Sequence, residues 1–237
     1  MPTILITGAN RGLGLEFTRQ YATDGWKVIA CCRMPAEAEE LQTLANNFPE
    51  ILIECLDVND FSAVDVLAEK YTGQSIDVLL NNAGIIGPIP IAENIERQHF
   101  GSMEYEVWAD VLRTNTFAPV KMAEVFLEHV AASKQKKIVT ISSTVGSISE
   151  MTIPALAYAS SKSALNRVMT IIASQLKERG VIIAMFCPGY VKTRMDTFGY
   201  ATVEIPESIA LLRPMIADLT IERTGSFTGH DGRTIGW

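Results

Sequence analysis

The sequence predicts a doubly wound α/β fold, in which helices cover both faces of a parallel β-sheet. Short apolar runs alternate along the chain with helix-length amphipathic segments. Strands that are apolar throughout and are separated by helices are typical of parallel sheets buried on both faces. The chain has 237 residues, of which 48% are hydrophobic, and it can bury one sizeable core, so we expect a single domain over residues 1–237 in an αβα arrangement.

Six apolar runs are the candidate strands of this sheet. They are Thr3–Thr7, Lys27–Cys32, Ile51–Cys55, Asp77–Leu80, Lys137–Ile141 and Val181–Phe186. Two long connections that contain proline, Ile85–Ser102 and Tyr190–Pro206, are predicted to be irregular. Because ligands of doubly wound sheets bind beyond the carboxyl ends of the strands, we expect the functional residues directly after the strands.

The first candidate strand runs into a glycine-rich turn, Thr7–Gly14, which is followed by a helical pattern. In a Rossmann-type site, one glycine forms the tight turn, a second lets the backbone approach a pyrophosphate, and a third allows close packing of the helix. The helix N-terminus adds unpaired N–H groups and the positive end of its dipole. The turn therefore predicts a dinucleotide site, with an ordinary glycine loop as the alternative. The residues assigned to this site are Gly8, Asn10, Arg11, Gly12, Leu13 and Gly14.

The second candidate strand ends at Cys32 and is followed by Arg33. An enzyme that prefers NAD carries an acidic residue there, which accepts hydrogen bonds from the adenosine ribose. A guanidinium group can instead bind a 2′-phosphate through two hydrogen bonds, and Arg11 in the glycine turn can supply a second cation. The sequence therefore favours NADP(H) over NAD(H), with two solvated surface arginines as the alternative interpretation.

Ser143, Tyr158 and Lys162 follow the fifth candidate strand. The stretch Ala155–Leu176 has the apolar spacing of a helix, so Tyr158 and Lys162, at positions i and i+4, fall on one face. A free phenol has a pKa of about 10, and a neighbouring ammonium group lowers that pKa. We therefore expect Lys162 to tune Tyr158 as a proton donor and Ser143 to bind the substrate oxygen. A buried aromatic beside a surface lysine is the alternative.

Composition and charge argue against several other classes of protein. The net charge of −7 gives no basic surface for nucleic acid or anionic lipid. No apolar stretch reaches the roughly 18 residues of a membrane span, and the first run lacks the pattern of a signal peptide, so we expect a cytoplasmic protein. The cysteines and histidines lack the spacing of a zinc site or a redox pair, so we expect no metal.

Five motifs occur in a fixed order, each near the end of a candidate strand. They are the TGxxxGxG turn, Asn81-Asn82-Ala83-Gly84, Ser143, Tyr158-Ala159-Ser160-Ser161-Lys162, and Pro188-Gly189. In this order they resemble the short-chain dehydrogenase/reductase family over essentially the whole chain. Residues 188–193 and 225–237 are similar to the C-factor and sniffer-type carbonyl reductases of that family. The chain has no GxSxG elbow, so serine-hydrolase chemistry is not indicated.

The resemblance implies further residues on the adenosine side of the cofactor. Asp57 and Val58, after the third candidate strand, are expected beside the adenine. Asn82, Ala83 and Gly84 are expected to line the side of the adenosine ribose. Without the resemblance, a polar residue at such a position is as readily a cap or a turn residue.

The resemblance also implies residues on the reacting side. Asn115 matches the helix asparagine that completes the catalytic tetrad and supports a water-linked proton relay to the lysine. The segment expected to hold the nicotinamide carboxamide consists of Pro188, Gly189, Val191 and Thr193.

We expect the substrate pocket to form from Val145–Pro154, from Ile85–Ser102 and from the segment that carries Met195, Phe198 and Tyr200. Ser143 and Tyr158 are separated by 15 positions, slightly more than the commonest spacing in the family, and we expect the extra length to enlarge the loop on the substrate side. Because these segments are largely apolar, we expect a hydrophobic or aromatic carbonyl compound as the substrate.

The leading hypothesis is an NADPH-dependent reductase, in which hydride goes to the carbonyl carbon of a ketone or aldehyde and Tyr158 protonates the oxygen. One alternative is an NAD(P)-binding sensor or intercellular-signalling protein of the C-factor type with little turnover, which needs only the glycine turn. A second alternative is a purely structural scaffold. The resemblance further implies a homodimer or homotetramer formed through the stretches Tyr105–Ser133 and Ala155–Arg179.

Overall fold

The computed structural model describes residues 1–150, 153–196 and 198–237. Within these residues, the chain forms a parallel sheet of seven strands in the order β3-β2-β1-β4-β5-β6-β7. The strands are β1 (Thr3–Thr7), β2 (Lys27–Cys32), β3 (Ile51–Cys55), β4 (Val78–Asn81), β5 (Lys137–Ile141), β6 (Ile182–Cys187) and β7 (Ser226–Gly229). The predicted doubly wound α/β fold is confirmed.

Helices cover both faces of the sheet. In the described part of the chain, the α-helices are α1 (Gly12–Thr23), α2 (Glu39–Asn47), α3 (Phe61–Lys70), α4 (Ile91–Asn94), α5 (Tyr105–Leu112), α6 (Ala118–Val125), α7 (Leu127–Ala131), α8 (Leu156–Leu176) and α9 (Ile205–Ala217). A π-helical turn, Arg113–Phe117, joins α5 to α6. None of the helices described is both long and apolar enough to cross a membrane.

The sheet separates two apolar clusters, because the side chains of each strand alternate between its two faces. On one face, Leu5, Ile29 and Leu79 pack with residues of α3, α6 and α8. On the other face, Ile4 and Val28 pack with residues of α1, α2 and α9. Burial on both faces fixes the register of the central strands, so their carboxyl ends form a rigid edge.

The predicted and observed elements differ in three places. The strands β4 and β6 lie one residue further along the chain than expected, which is the ordinary uncertainty of an element boundary. The sequence pattern misses β7, because Phe227 is its only large apolar residue. The connection Ile85–Ser102, expected to be irregular, contains α4 and a 3₁₀ turn, Ile95–Gln98.

Candidate active site

The strand order reverses between β1 and β4, and the glycine turn lies at this reversal, where doubly wound sheets form their crevice. Gly8 has φ +68° and Gly12 has φ +56°, a region of backbone conformation that favours glycine. A Cβ atom at Gly14 would lie 2.2 Å from the carbonyl oxygen of Gly8, whereas a Cβ atom at Gly12 would meet nothing within 4 Å. The turn is therefore tightly packed underneath and open at Gly12, as a phosphate-binding turn requires.

Asn82 holds the glycine turn in place. Its side-chain Nδ2 donates hydrogen bonds to the carbonyl oxygens of Thr7 and Gly8, at 2.9 and 3.3 Å. In return, the Thr7 hydroxyl accepts hydrogen bonds from the backbone N–H groups of Asn82 and Ala83, both at 3.0 Å. Asn82 was expected to line the cofactor; the contacts that the structure shows for its side chain support the turn from the neighbouring strand.

Three arginines lie near the open side of this turn. Partial desolvation, followed by the charges of Arg194 and Arg33, lowers the pKa of Arg11. These three guanidinium groups have no ion-pair partner among the residues that the structure describes. An unpaired group of cations in an acidic protein is suited to an anion such as a phosphate.

Ser143, Tyr158 and Lys162 meet at the carboxyl edge of β5. The Ser143 hydroxyl lies near enough to the Tyr158 phenol to lower the pKa of that phenol. The Lys162 ammonium group donates to the carbonyl oxygen of Ile141 at 3.0 Å and lies 5.8 Å from the centroid of the Tyr158 ring. Gly146 makes this approach possible, because a Cβ atom there would lie 2.8 Å from the Cβ of Lys162. The structure thus brings the three predicted catalytic side chains together.

The protonation of this site differs from the expectation that Lys162 lowers the pKa of Tyr158. Desolvation raises the pKa of Tyr158 to about 12, although the hydrogen bond from Ser143 acts against it. Desolvation also lowers the pKa of Lys162 to about 8, and the lysine is only 5% exposed. The phenol is therefore protonated at neutral pH, which suits a proton donor, and burial has a larger effect on its pKa than the lysine has.

Asn115 lies in the π-helical turn between α5 and α6 and is fully buried. Its Oδ1 accepts a hydrogen bond from Ile85 N at 2.9 Å, and its Nδ2 donates to Ile85 O at 2.8 Å and to Ser161 Oγ at 3.0 Å. A Cβ atom at Gly84 would lie 3.2 Å from Asn115 Oδ1 and 3.7 Å from Lys162 Nζ. Gly84 therefore keeps a space between the asparagine and the lysine, and π-helical turns often occur at functional positions.

The other predicted residues also follow the strands, and several of them have local structural partners. The Asp57 carboxylate accepts a hydrogen bond from Asn59 N at 2.9 Å, and neighbouring Val58 is buried. The Thr193 hydroxyl accepts one from Met195 N at 3.2 Å. Asp57 and Thr193 thus form local turn contacts of the kind that a polar residue after a strand makes without any ligand.

Residues 188–191, directly after β6, contact residues that the sequence analysis did not identify. The Ser208 hydroxyl donates to Pro188 O at 2.7 Å. Gly189 has φ +86°, and a Cβ atom there would lie 2.7 Å from the ring of His230. Val191 forms an isolated bridge with Val203.

Gln98 is a further residue of the site that sequence reasoning missed. It is fully buried, its Oε1 accepts a hydrogen bond from Tyr158 N at 3.1 Å, and its Nε2 donates to Ile86 O at 2.7 Å. The N–H group of Tyr158 lies in the first turn of α8 and has no partner within the helix, so Gln98 caps the helix from a distance. The only signal in the sequence is a glutamine within a predicted loop, which is too weak to find it.

The fold, the glycine turn and the serine, tyrosine and lysine at the edge of the sheet together define a Rossmann-type oxidoreductase. A family model for short chain dehydrogenases matches residues 2–202. The chain therefore belongs to the short-chain dehydrogenase family, as its motifs indicated.

Known proteins similar to this chain agree with that assignment. An uncharacterized oxidoreductase of Schizosaccharomyces pombe is 28% identical over 251 residues, which cover 97% of this chain and 96% of that protein. The NADPH-bound carbonyl reductase from chicken fatty liver has a TM-score of 0.88 and 29% identity, over 100% of this chain and 99% of that one. The carbonyl reductase Sniffer of D. melanogaster has a TM-score of 0.86 and 30% identity, over 100% of both chains.

Replacement of Gln98 by leucine removes both of its hydrogen bonds and leaves two buried polar groups without partners. We expect the free energy of unfolding to fall by about 1–3 kcal/mol, and kcat to fall about tenfold because the start of α8, and with it Tyr158, shifts. Steady-state kinetics and denaturant unfolding measure the two effects. Gln98→Glu keeps the acceptor for Tyr158 N but sets a buried carboxylate against the Ile86 carbonyl oxygen, so it should recover part of kcat and none of the lost stability.

Gln42→Leu is the control, because the Gln42 side chain donates to Pro35 O in the turn before its own helix, α2, and not to an element of the site. A stability loss in Gln98→Leu without any change in kcat would show that Gln98 has no part in placing the tyrosine.

Proposed function

We propose that this chain reduces the carbonyl group of a small apolar or aromatic ketone or aldehyde, with Tyr158 as the proton donor. The observation that carries the proposal is the Tyr158 ring beside the buried Lys162, 5.8 Å from its ammonium group, with Ser143 acting on the phenol. NADP(H) is the cofactor of this oxidoreductase, and when bound it supplies the hydride. A similar structure from Burkholderia multivorans, a short-chain dehydrogenase/reductase, contains bound NADP.

The residues present fit this cofactor. The open space at Gly12 leaves room for a pyrophosphate at the N-terminus of α1, and the close packing at Gly14 holds the turn in that position. The Arg11 side chain makes no capping hydrogen bond there, so it leaves the N–H groups of the helix N-terminus to the ligand. Arg33 and Arg11 would bind the 2′-phosphate, and Arg194 would add a third cation to it. Asp57, Val58 and the residues Asn82 to Gly84 would line the adenosine, and residues 188–193 would hold the nicotinamide.

The proton chemistry assigns one task to each polar side chain. Ser143 would donate a hydrogen bond to the carbonyl oxygen, where negative charge develops as hydride arrives. Tyr158, protonated because its phenol is desolvated, would give its proton to that oxygen. Lys162 would stabilise the phenolate that remains, and Asn115 would join the lysine to solvent through the space beside Gly84.

The surroundings of the site support an apolar substrate. Met195, Phe198 and Tyr200 are exposed, and the rings of Phe198 and Tyr200 are stacked with their centroids 6.2 Å apart. Of the segment Val145–Pro154, which was also assigned to the pocket, positions 151 and 152 lie outside the described residues. Pockets for small organic ligands are lined mainly by hydrophobic and aromatic side chains, so side chains of this kind in the segment assigned to the pocket support an apolar substrate.

A sensor that only binds the dinucleotide would not need a buried lysine with a lowered pKa beside a tyrosine, so this feature counts against that alternative.

We also propose that residues 1–237 act as one cytoplasmic domain and associate through α5, the π-helical turn and α8. Exposed apolar side chains on these elements, Tyr105, Phe117 and Ile171, support the association, which the mass in solution would test.

The proposed reaction is tested by following the absorbance of NADPH with a panel of aromatic aldehydes, diketones and quinones. The wild type should oxidise NADPH, and Tyr158→Phe should lower kcat by about 10²–10⁴ because it lacks the general acid. The Kd of NADPH should stay nearly unchanged in the variant. Tyr71→Phe is the control, since it loses a phenol that bonds Glu54 at a distance from the site. Tight NADPH binding without turnover of any compound would favour the sensor.

The arginine group predicts the choice of cofactor. Arg33→Asp should lower the ratio of kcat/KM for NADPH to that for NADH by about 10- to 100-fold, since a hydrogen bond to a charged group contributes about 1.5–3 kcal/mol. Arg194→Met should lower the same ratio by a smaller factor. Arg19→Met is the control, because Arg19 is already paired with Glu16. An unaltered ratio in Arg33→Asp would mean that Arg33 does not touch the phosphate.

The pKa of Lys162 predicts how the rate depends on pH. Below pH 8, both Lys162, with its pKa lowered to about 8, and Tyr158, with its pKa raised to about 12, carry their protons. Above pH 8 the lysine loses the charge that stabilises the phenolate, so kcat/KM for carbonyl reduction should decrease, because kcat/KM reports the free enzyme. Lys162→Arg should retain weak activity without this decrease, since guanidinium stays charged. The same decrease in Lys162→Arg would assign it to another group.

A further inference from the structure

The segment 229–237, here called the strap, contacts residues 147–150, which follow Ser143 along the chain. Residues 147–150 are here called the substrate loop. Arg233 Nη1 lies 2.8 Å from both carboxylate oxygens of Glu150. Gly236 N donates to Glu150 Oε1 at 2.7 Å, and Ser149 N donates to Trp237 O at 3.1 Å.

The strap is itself fixed to the sheet. Gly229 N donates to Arg233 O at 2.8 Å, and Ile235 N donates to Phe227 O at 2.9 Å. The rings of Trp237 and Phe227 are stacked at 5.8 Å, and Ile235 is only 2% exposed. The strap therefore turns back along β7, with which it forms an antiparallel bridge between Thr234 and Thr228. A loop bonded to the strap is restrained relative to the sheet.

The strap also touches the other side of the site. His230, at its start, packs against Gly189 so closely that a Cβ atom at Gly189 would lie 2.7 Å from the imidazole. A Cβ atom at Gly236, at the opposite end, would lie 2.7 Å from Ser149 Oγ. One short segment thus packs against both the stretch after β6 and the stretch after β5.

The substrate loop lies on the path between two of the proposed catalytic residues. It begins four residues after Ser143, and the chain continues from it to α8, which carries Tyr158. Its inner end is held through Asn166, whose Nδ2 donates to Gly146 O at 3.4 Å and whose Oδ1 accepts from Ser142 Oγ at 2.6 Å. Its outer end is held by the strap, through Glu150.

We propose that the strap is a positioning element, which holds the substrate loop through the Glu150–Arg233 pair and thereby sets the affinity for the carbonyl substrate. The inference rests on the proposed reductase function. Glu150 is the centre of the contact, because it receives hydrogen bonds from both the side chain of Arg233 and the backbone of Gly236. Asp231 Oδ2 lies 3.9 Å from Arg233 Nε and helps to orient the guanidinium group.

The test is Arg233→Met, measured in the full chain with NADPH and the best carbonyl compound of the panel. The side chain of Arg233 is half-exposed, so the pair can change the position of the loop only modestly, and we expect KM for the carbonyl compound to rise about fivefold. The kcat value and the Kd of NADPH should stay close to those of the wild type. Arg233→Lys, which keeps the charge, should recover part of the lost affinity.

The control is Arg179→Met. Arg179 makes a similar pair with Glu128, at 2.9 Å to both carboxylate oxygens. Because Arg179 directly precedes β6, this pair lies at the amino-terminal end of that strand, away from the site at the carboxyl ends. Loss of that pair should leave KM unaltered. An equal rise of KM in both variants would show a general effect of lost charge and would overturn the proposal.

Amide hydrogen exchange gives a readout that needs no turnover. In Arg233→Met, the amides of residues 147–150 should exchange about fivefold faster, Ser149 first, while those of the central strands remain protected. Faster exchange without a change in KM, or unaltered exchange, would overturn the positioning role. A wild type that reduces no carbonyl compound would remove the proposed function, and exchange would then still show whether the strap restrains the loop.

Discussion

The site depends on how closely the glycine turn after β1 approaches the residues after β4. A single methyl group at Gly14 would have to occupy the position of the Gly8 carbonyl, and Asn82 closes the same contact from the neighbouring strand. This contact brings the N-terminus of α1 to the point where the strand order reverses. Because β5 and β6 follow β4 in the sheet, it also places the glycine turn beside the proposed catalytic side chains.

The second constraint is burial around Lys162. Gly146 leaves no side chain between the turn after β5 and the helix α8, so the helix packs against the turn and the lysine loses most of its water. Desolvation acts in opposite directions on a cation and on a phenol: it lowers the pKa of Lys162 and raises that of Tyr158. The same packing that builds the fold therefore sets the protonation of the site.

Much of the site could be predicted because its signals are local in the sequence. The glycine turn occupies eight consecutive residues, and Tyr158 and Lys162 fall one helical turn apart. The four strands with correct bounds are short runs made mostly of apolar residues, such as Ile4 to Ile6 in β1 and Val28 to Cys32 in β2. The strand β7 lacks such a run, and its place in the sheet is fixed by pairing with β6.

The features that could not be predicted depend on contacts between residues that are far apart in the sequence. Gln98 reaches Tyr158 across 60 positions, and Glu150 reaches Arg233 across 83. The pKa of Tyr158 was expected to fall, because the sequence spacing reveals the neighbouring lysine. It does not reveal the burial of the phenol, which raises that pKa. Arg194 likewise follows an expected cofactor segment, but only the folded chain places it near Arg11.

The arginine group connects these points. The chain carries a net charge of −7, so carboxylates are plentiful, and five arginines have acidic partners. Among the described residues six arginines have none, and three of these, Arg11, Arg33 and Arg194, lie close enough for the charges of the other two to lower the pKa of Arg11. Neighbouring cations repel each other, and folding must hold them together against that repulsion. A phosphate placed among them would turn this cost into attraction, so the fold itself should be more stable with its ligand than without it.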